Sequence, residues 1–150
     1  MNRRRSFILA AGSMLALGIM PSARALQALP LVTVYKEPAC GCCGKWAKHM
    51  QASGFRVETR EVTDVTPIRR RYGVPDELAS CHTAIVGGYA IEGHVPAADI
   101  KRLLREGTKA KGLAVPGMVA GSPGMEQGQS KPYMTIAFDE RGGHKIFGQH

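Results

Sequence analysis

Three of this chain's four cysteines fall within four residues, Cys40-Gly41-Cys42-Cys43, and the fourth is Cys81. Cys42 and Cys43 are chain neighbours, with Cα atoms about 3.8 Å apart. An ordinary disulfide spans roughly 4.4–6.8 Å, so a bridge between them would be strained. A staple confined to so few residues also closes almost no loop. Cys40 and Cys43, by contrast, form a C-x-x-C pair, the spacing of thiol–disulfide exchange sites. At a helix N-terminus, unpaired backbone N–H groups and the helix dipole favour the thiolate. There a thiol pKa falls from about 8.5 toward roughly 3.5–7.5. The thiolate is both the stronger nucleophile and the stronger metal ligand, so the electrostatics serves two chemistries and spacing must choose between them.

The spacing disfavours zinc, whose structural sites use two well-separated cysteine pairs. Four thiolates could hold an iron–sulfur cluster by count, but adjacent ligands to one iron are awkward. Monovalent copper is soft, favours thiolate and thioether donors, and can be bridged by sulfur, so a cluster of neighbouring cysteines suits it. Met118 and Met125 supply thioethers on a stretch without hydrophobic period. Core filling is the competing role for them, and it is the expected one for Met50 and Met134. Cys81 directly precedes His82, and His82 and His94 are candidate nitrogen ligands. The plain alternative for Cys81 is an inert buried thiol. His49 is expected on the exposed side of its helix, and His150 in a disordered terminus.

These residues need elements to position them. Leu31-Val32-Thr33-Val34-Tyr35 reads as a buried strand. Pro38 and Gly41 interrupt it around the cysteines. Gly44 to Ser53 reads as a helix with Cys43, Trp46, Ala47 and Met50 on one face. Arg56 to Val62 is a weaker strand, and Thr66-Pro67 opens a helix that stops before Gly73. Thr83 to Val86 and Tyr89 to Glu92, joined by Gly87-Gly88, form a hairpin. Pro96 opens a helix whose Ile100, Leu103 and Leu104 share a face, closed by Gly107. The order is βαβαββα with thiols at the first strand–helix junction, the thioredoxin arrangement. A thioredoxin fold would bring Cys81 to the start of the first helix. Where thioredoxins carry a cis-proline that seats a peptide, His82 and Thr83 stand here, which weakens the exchange reading and leaves room for a metal. The stretch from Gly107 to Lys131 holds six glycines and two prolines with no period. It reads as a functional loop carrying two Pro-Gly-Met units. Tyr133 to Phe138 and His144 to Phe147 then read as an added hairpin turned at Gly142-Gly143.

With 44% hydrophobic and 21% charged residues, the 150-residue chain fits one globular domain. Its formal charge of +8 is concentrated at the start, where Arg3, Arg4, Arg5 and Arg24 face no acid. Beyond residue 25, 16 basic residues stand against 12 acidic ones, about +4. That is an ordinary solvated surface, without the arginine–aromatic interleaving of a nucleic-acid partner. Residues 1–25 read as a cleavable signal peptide: a basic start, an apolar run from Phe7 to Met20, and the small-x-small site Ala23-Arg24-Ala25. The run is too short for a stable membrane anchor, which needs about 20 residues. Arg4-Arg5-Ser6-Phe7-Ile8 matches a twin-arginine core, with general secretion as the other route. The mature domain is therefore expected to span residues 26–150, with 107–150 as a C-terminal extension, and to work outside the cytoplasm.

Five ordered motifs narrow the reading: Val34-Tyr35-Lys36, Cys40-Gly41-Cys42-Cys43-Gly44-Lys45-Trp46, Ala79-Ser80-Cys81-His82-Thr83, Glu92-Gly93-His94-Val95-Pro96 and Gly121-Ser122-Pro123-Gly124-Met125-Glu126. Together they resemble the CopG-like exported copper-resistance family, marked by a C-x-C-C motif. The resemblance spans nearly the whole mature chain. It departs at Val119, where the family often has proline. It implies a thioredoxin-like domain whose extension contributes to a cysteine-bridged, multinuclear copper site. Cys40, Cys42, Cys43 and Cys81 carry over as thiolate ligands, and Met118, Met125, His82 and His94 are the further candidates. It also implies a periplasmic role in copper detoxification that interconverts Cu(I) and Cu(II), with periplasmic copper-export components as candidate partners. The alternative is a thiol–disulfide oxidoreductase using Cys40 and Cys43.

Overall fold

The computed structural model describes residues 28–150; the expected signal peptide lies outside the described residues. The described residues are mixed α/β and build one seven-stranded sheet. In chain order the elements are β1 (Val32–Lys36), α1 (Gly41–Ala52), β2 (Val57–Glu61), α2 (Thr66–Tyr72), a 3-10 turn (Asp76–Leu78), β3 (His82–Val86), β4 (Tyr89–Gly93), α3 (Ala97–Glu106), β5 (Gly112–Val115), β6 (Met134–Phe138) and β7 (His144–Gln149). The sheet order is β2-β1-β3-β4-β5-β6-β7. β1 runs parallel to β2 and antiparallel to β3, and β4 runs antiparallel to β3 but parallel to β5. β6 and β7 extend the sheet as an antiparallel hairpin.

Alternation along the strands sorts side chains to two faces. Val32, Val34, Ile91, Leu113, Val115 and Ala137 join Trp46 and Met50 of α1 and Ile100 and Leu103 of α3 in one core. Ala90, Ala114 and Phe138 face the other way, onto Val74 and Leu78 beside α2 and the 3-10 turn. α1 begins three residues earlier than its pattern suggests, with Cys40 as N-cap, so Cys42 and Cys43 lie in its first turn. Its expected face, Cys43, Trp46, Ala47 and Met50, is the buried one. The β3–β4 hairpin turns through Gly87 (φ 54°) and Gly88 (φ 86°), the two positive dihedrals that a two-residue primed turn demands.

Three expectations are corrected here. The stretch from Gly107 to Lys131 is not structureless: β5 lies within it, buried along its whole length between β4 and β6. Met134 is not core filler, for it sits on β6 with 46% of its surface exposed. His150 is ordered too: its backbone pairs with Tyr133, and its Nε2 lies 2.9 Å from Asp99 Oδ2 and 3.2 Å from Thr135 Oγ1.

Candidate metal centre

The sheet and α1 assemble the thiols from two distant parts of the chain. β1 ends at Lys36, whose ammonium donates to the carbonyls of Glu37 (2.9 Å) and Pro38 (3.2 Å) and fixes the loop leading into the cysteines. β3 lies antiparallel beside β1, with His82 opposite Lys36, which places Cys81 at the mouth of that same loop. The Sγ atoms of Cys40, Cys42, Cys43 and Cys81 all lie within 4.8 Å of one another. Cys42 Sγ is 3.6 Å from Cys40 Sγ and 3.8 Å from Cys81 Sγ, so it links the two segments. Cys40 and Cys43 are joined as a disulfide with Cα atoms 5.4 Å apart, while Cys42 and Cys81 are free thiols. All four sulfurs can serve as thiolates only once that bond is reduced.

Two histidines complete the cluster. His94 Nε2 lies 3.0 Å from Cys81 Sγ, and His82 Nδ1 lies 3.5 Å from it. His94 Nδ1 is 2.8 Å from the Pro123 carbonyl, to which it must donate. That bond fixes the tautomer and leaves the Nε2 lone pair facing the thiol, the arrangement that orients metal-binding imidazoles. His82 is wholly buried between Trp46 (centroids 4.5 Å) and His94 (5.1 Å). Its Nε2 has no hydrogen-bond partner among the described residues. Burial pushes the His82 pKa down to about 3, with repulsion from His94 adding to it, and burial also holds His94 below the usual histidine range. Both rings are therefore neutral near pH 7, the state that offers a lone pair. The neutral His94 imidazole, its Nε2 3.0 Å from Cys81 Sγ among convergent sulfurs, fits a site built for a soft ion.

Sequence reasoning missed the clamp that positions Cys81. Glu92 on β4 is completely buried. Its Oε1 accepts from Arg69 Nε (2.8 Å) and from the Ser80 backbone N–H (2.6 Å), and its Oε2 accepts from Thr83 Oγ1 (2.6 Å). Arg69 also donates to the Ser80 carbonyl. Both backbone groups of the residue before Cys81 are thus held, and so is the side chain of the residue after His82. Burial pushes the Glu92 carboxyl upward in pKa, opposed by the hydrogen bonds from Thr83, Ser80 and Arg69. Removing one partner of a buried pair strands the other, so Glu92→Ala is expected to lower the unfolding free energy by about 3 kcal/mol in a urea titration. Cys81 should at the same time alkylate faster. Within the sequence, only a lone glutamate in a strand otherwise apolar hinted at this role.

The loop at Gly124 packs against the site from the other side. Gly124 packs so tightly that an added Cβ would sit 2.9 Å from both the Cys42 carbonyl and the Trp46 backbone nitrogen and 3.3 Å from His94 Nδ1. Its φ of +88° is also one that other residues resist. Glu126 accepts from the Gly124 N–H at 2.6 Å, a bond that holds its carboxyl below the usual range. Gly124→Ala is therefore expected to cost about 1–3 kcal/mol and to lift this loop from α1, read as faster amide exchange at residues 121–126. Met125 follows Gly124 and is half-buried, whereas Met118 is 61% exposed on the loop after β5. That loop is tied to the Cys81 segment, since Ser80 Oγ donates to the Gly117 carbonyl and Gly117 N–H donates to the Ala79 carbonyl (3.4 Å). His49 is a half-buried capping group, not the surface residue expected: its Nε2 accepts the Ala97 N–H of α3 at 3.1 Å.

Residues 78–125 match a family model described as "Protein of unknown function, DUF411". Two solved structures, described as "Copper resistance protein copG- Form 1" and "Copper resistance protein copG- Form 2", are each 40% identical to this chain. Each alignment covers 81% of this chain and 98% of the other, with a TM-score of 0.77. The chain belongs to the CopG copper-resistance family. No curated protein matches it. The resemblance carried by the five sequence motifs is thereby borne out, and the segments bearing this chain's C-x-C-C motif and Cys81 meet at one site. Among the described residues, no helix is long and apolar enough to cross a membrane.

Proposed function

We propose that this CopG-family protein binds copper as cargo, holding Cu(I) through Cys40, Cys42, Cys43 and Cys81 with His94. His82 and Met125 are the next donors, and Met118 is a further thioether on the exposed loop. The observation that carries the reading is the approach of four Sγ atoms to within 4.8 Å, with the His94 lone pair 3.0 Å from one of them. Soft thiolates and imidazole favour Cu(I) over harder ions. Four sulfurs this close, two of them on adjacent residues, suit bridging and hence several coppers per chain. When bound, copper supplies one-electron redox chemistry, so interconversion of Cu(I) and Cu(II) in detoxification follows naturally from the same site. The neutral imidazoles donate without competing charge, the Glu92–Arg69 clamp holds Cys81 in place, and the loop at Gly124 keeps water from the α1 side.

The finer assignments belong to the same proposal. Residues 1–25 direct export to the periplasm, residues 26–150 form the metal-binding domain, and periplasmic export components are its protein partners. The first seven regular elements form a thioredoxin-like core, a reading supported by the order β2-β1-β3-β4 with α1 and α3 on one face. Residues 107–150 are the extension.

Elemental analysis and an absorption spectrum of protein from copper-supplemented cells test the function. The expected result is more than one copper per chain with sulfur-to-copper charge-transfer bands; copper-free protein under reducing conditions would refute it. The Cys40–Cys43 disulfide at a helix start favours a second reading, thiol–disulfide exchange. That reading requires metal-free reduction of a protein disulfide such as insulin's, lost in Cys40→Ser.

A further inference from the structure

The four sulfurs are not equivalent. Cys40 and Cys43 are one helical turn apart at the start of α1, with Cα atoms 5.4 Å apart, inside the ordinary disulfide range, and they are bonded. Even so, Cys42 Sγ stays 3.8 Å from Cys81 Sγ, which stays 3.0 Å from His94 Nε2. The oxidised chain therefore still presents two thiols and one imidazole at a single point. Cys42 cannot pair with its neighbour Cys43 without strain, and Cys81 is held from behind by the Ser80 clamp.

We infer that the thiols divide the work: Cys40 and Cys43 are the electron source for reducing Cu(II), while Cys42, Cys81 and His94 keep hold of the Cu(I) produced. This rests on the copper-binding reading and, within the Cu(I)/Cu(II) interconversion of that reading, assigns which sulfurs supply the electrons and which retain the metal. The step balances as two Cu(II) plus the Cys40 and Cys43 thiols giving two Cu(I), the Cys40–Cys43 disulfide and two protons. Each copper gains one electron, and the two sulfurs together lose two as the S–S bond forms. A retained sulfur-and-nitrogen donor set favours this direction because it holds Cu(I) better than Cu(II). Two equivalents of an external low-molecular-weight thiol reset the pair by exchange, leaving as their own disulfide.

The test adds excess Cu(II) to the fully reduced chain without oxygen. A chromogenic Cu(I) chelator counts the product, and alkylation with peptide mass mapping then locates the disulfide. The expected result is two Cu(I) per chain, a Cys40–Cys43 bridge, and Cys42 and Cys81 both alkylated. Cys40→Ser should slow the reduction at least tenfold. Four Cu(I) per chain, a bridge that includes Cys42 or Cys81, or an unslowed Cys40→Ser variant would overturn the division of labour while leaving copper binding standing. Failure of the reduced chain to bind Cu(I) at all would instead remove the underlying reading, and this inference with it.

Discussion

Replacing Cys42 with serine is expected to weaken Cu(I) binding by more than about 100-fold, beyond the roughly 10–100-fold cost of losing a group that only orients a ligand. Cys42 is the sulfur that lies between the two segments, 3.6 Å from Cys40 and 3.8 Å from Cys81. A serine hydroxyl is nearly isosteric but hard, and it stays protonated near neutral pH, so a soft ion loses its central donor. The fold should survive, because Cys42 is half-exposed in the first turn of α1 and outside both apolar cores. The Cys40–Cys43 bridge should still form, which separates loss of a ligand from general damage to the motif. Competition with a Cu(I) chelator measures the affinity, and circular dichroism checks the fold. An affinity within threefold of the parent chain would remove Cys42 from the site.

Copper affinity is expected to rise at least about tenfold per pH unit between pH 5 and 8, a thousandfold or more in all, Cys81 alone setting that lower bound. Burial pushes the Cys81 thiol up to about 12, with nearby Cys42 adding to the shift. In the metal-free protein Cys81 is therefore protonated throughout this window. Binding as a thiolate expels that proton, so each tenfold rise in proton concentration opposes binding tenfold. His82, pushed down to about 3, carries no proton to displace in the same range. A proton-release measurement at pH 7 should accordingly detect at least one proton per chain on copper addition. An affinity independent of pH would contradict ligation by Cys81.

The cysteine motif, its place at a strand–helix junction and the approach of Cys81 were legible because each depends on local signals: a β-branched run, helix breakers, and a hairpin closed by Gly87-Gly88. β5 escaped notice because Leu113-Ala114-Val115 is brief, hemmed in by Gly112 and Pro116. Its identity as a strand comes from β4 and β6 on either side, a tertiary fact with no periodic trace. Met134 misled because its position on a strand does not reveal which face of the sheet is covered. Similarly, His94 could be named as a ligand candidate, yet its orientation comes from a carbonyl 29 residues further on, at Pro123. The Glu92–Arg69 clamp was invisible for the same reason, since its partners lie 23 residues apart in the chain.

The most direct test is copper K-edge X-ray absorption of the reduced, copper-loaded protein compared with its Cys81→Ser variant. The expected spectrum has nearest neighbours dominated by sulfur with an imidazole contribution and short copper–copper scattering, and the variant loses sulfur neighbours. Nearest neighbours of nitrogen and oxygen alone, unchanged by the substitution, would contradict the account.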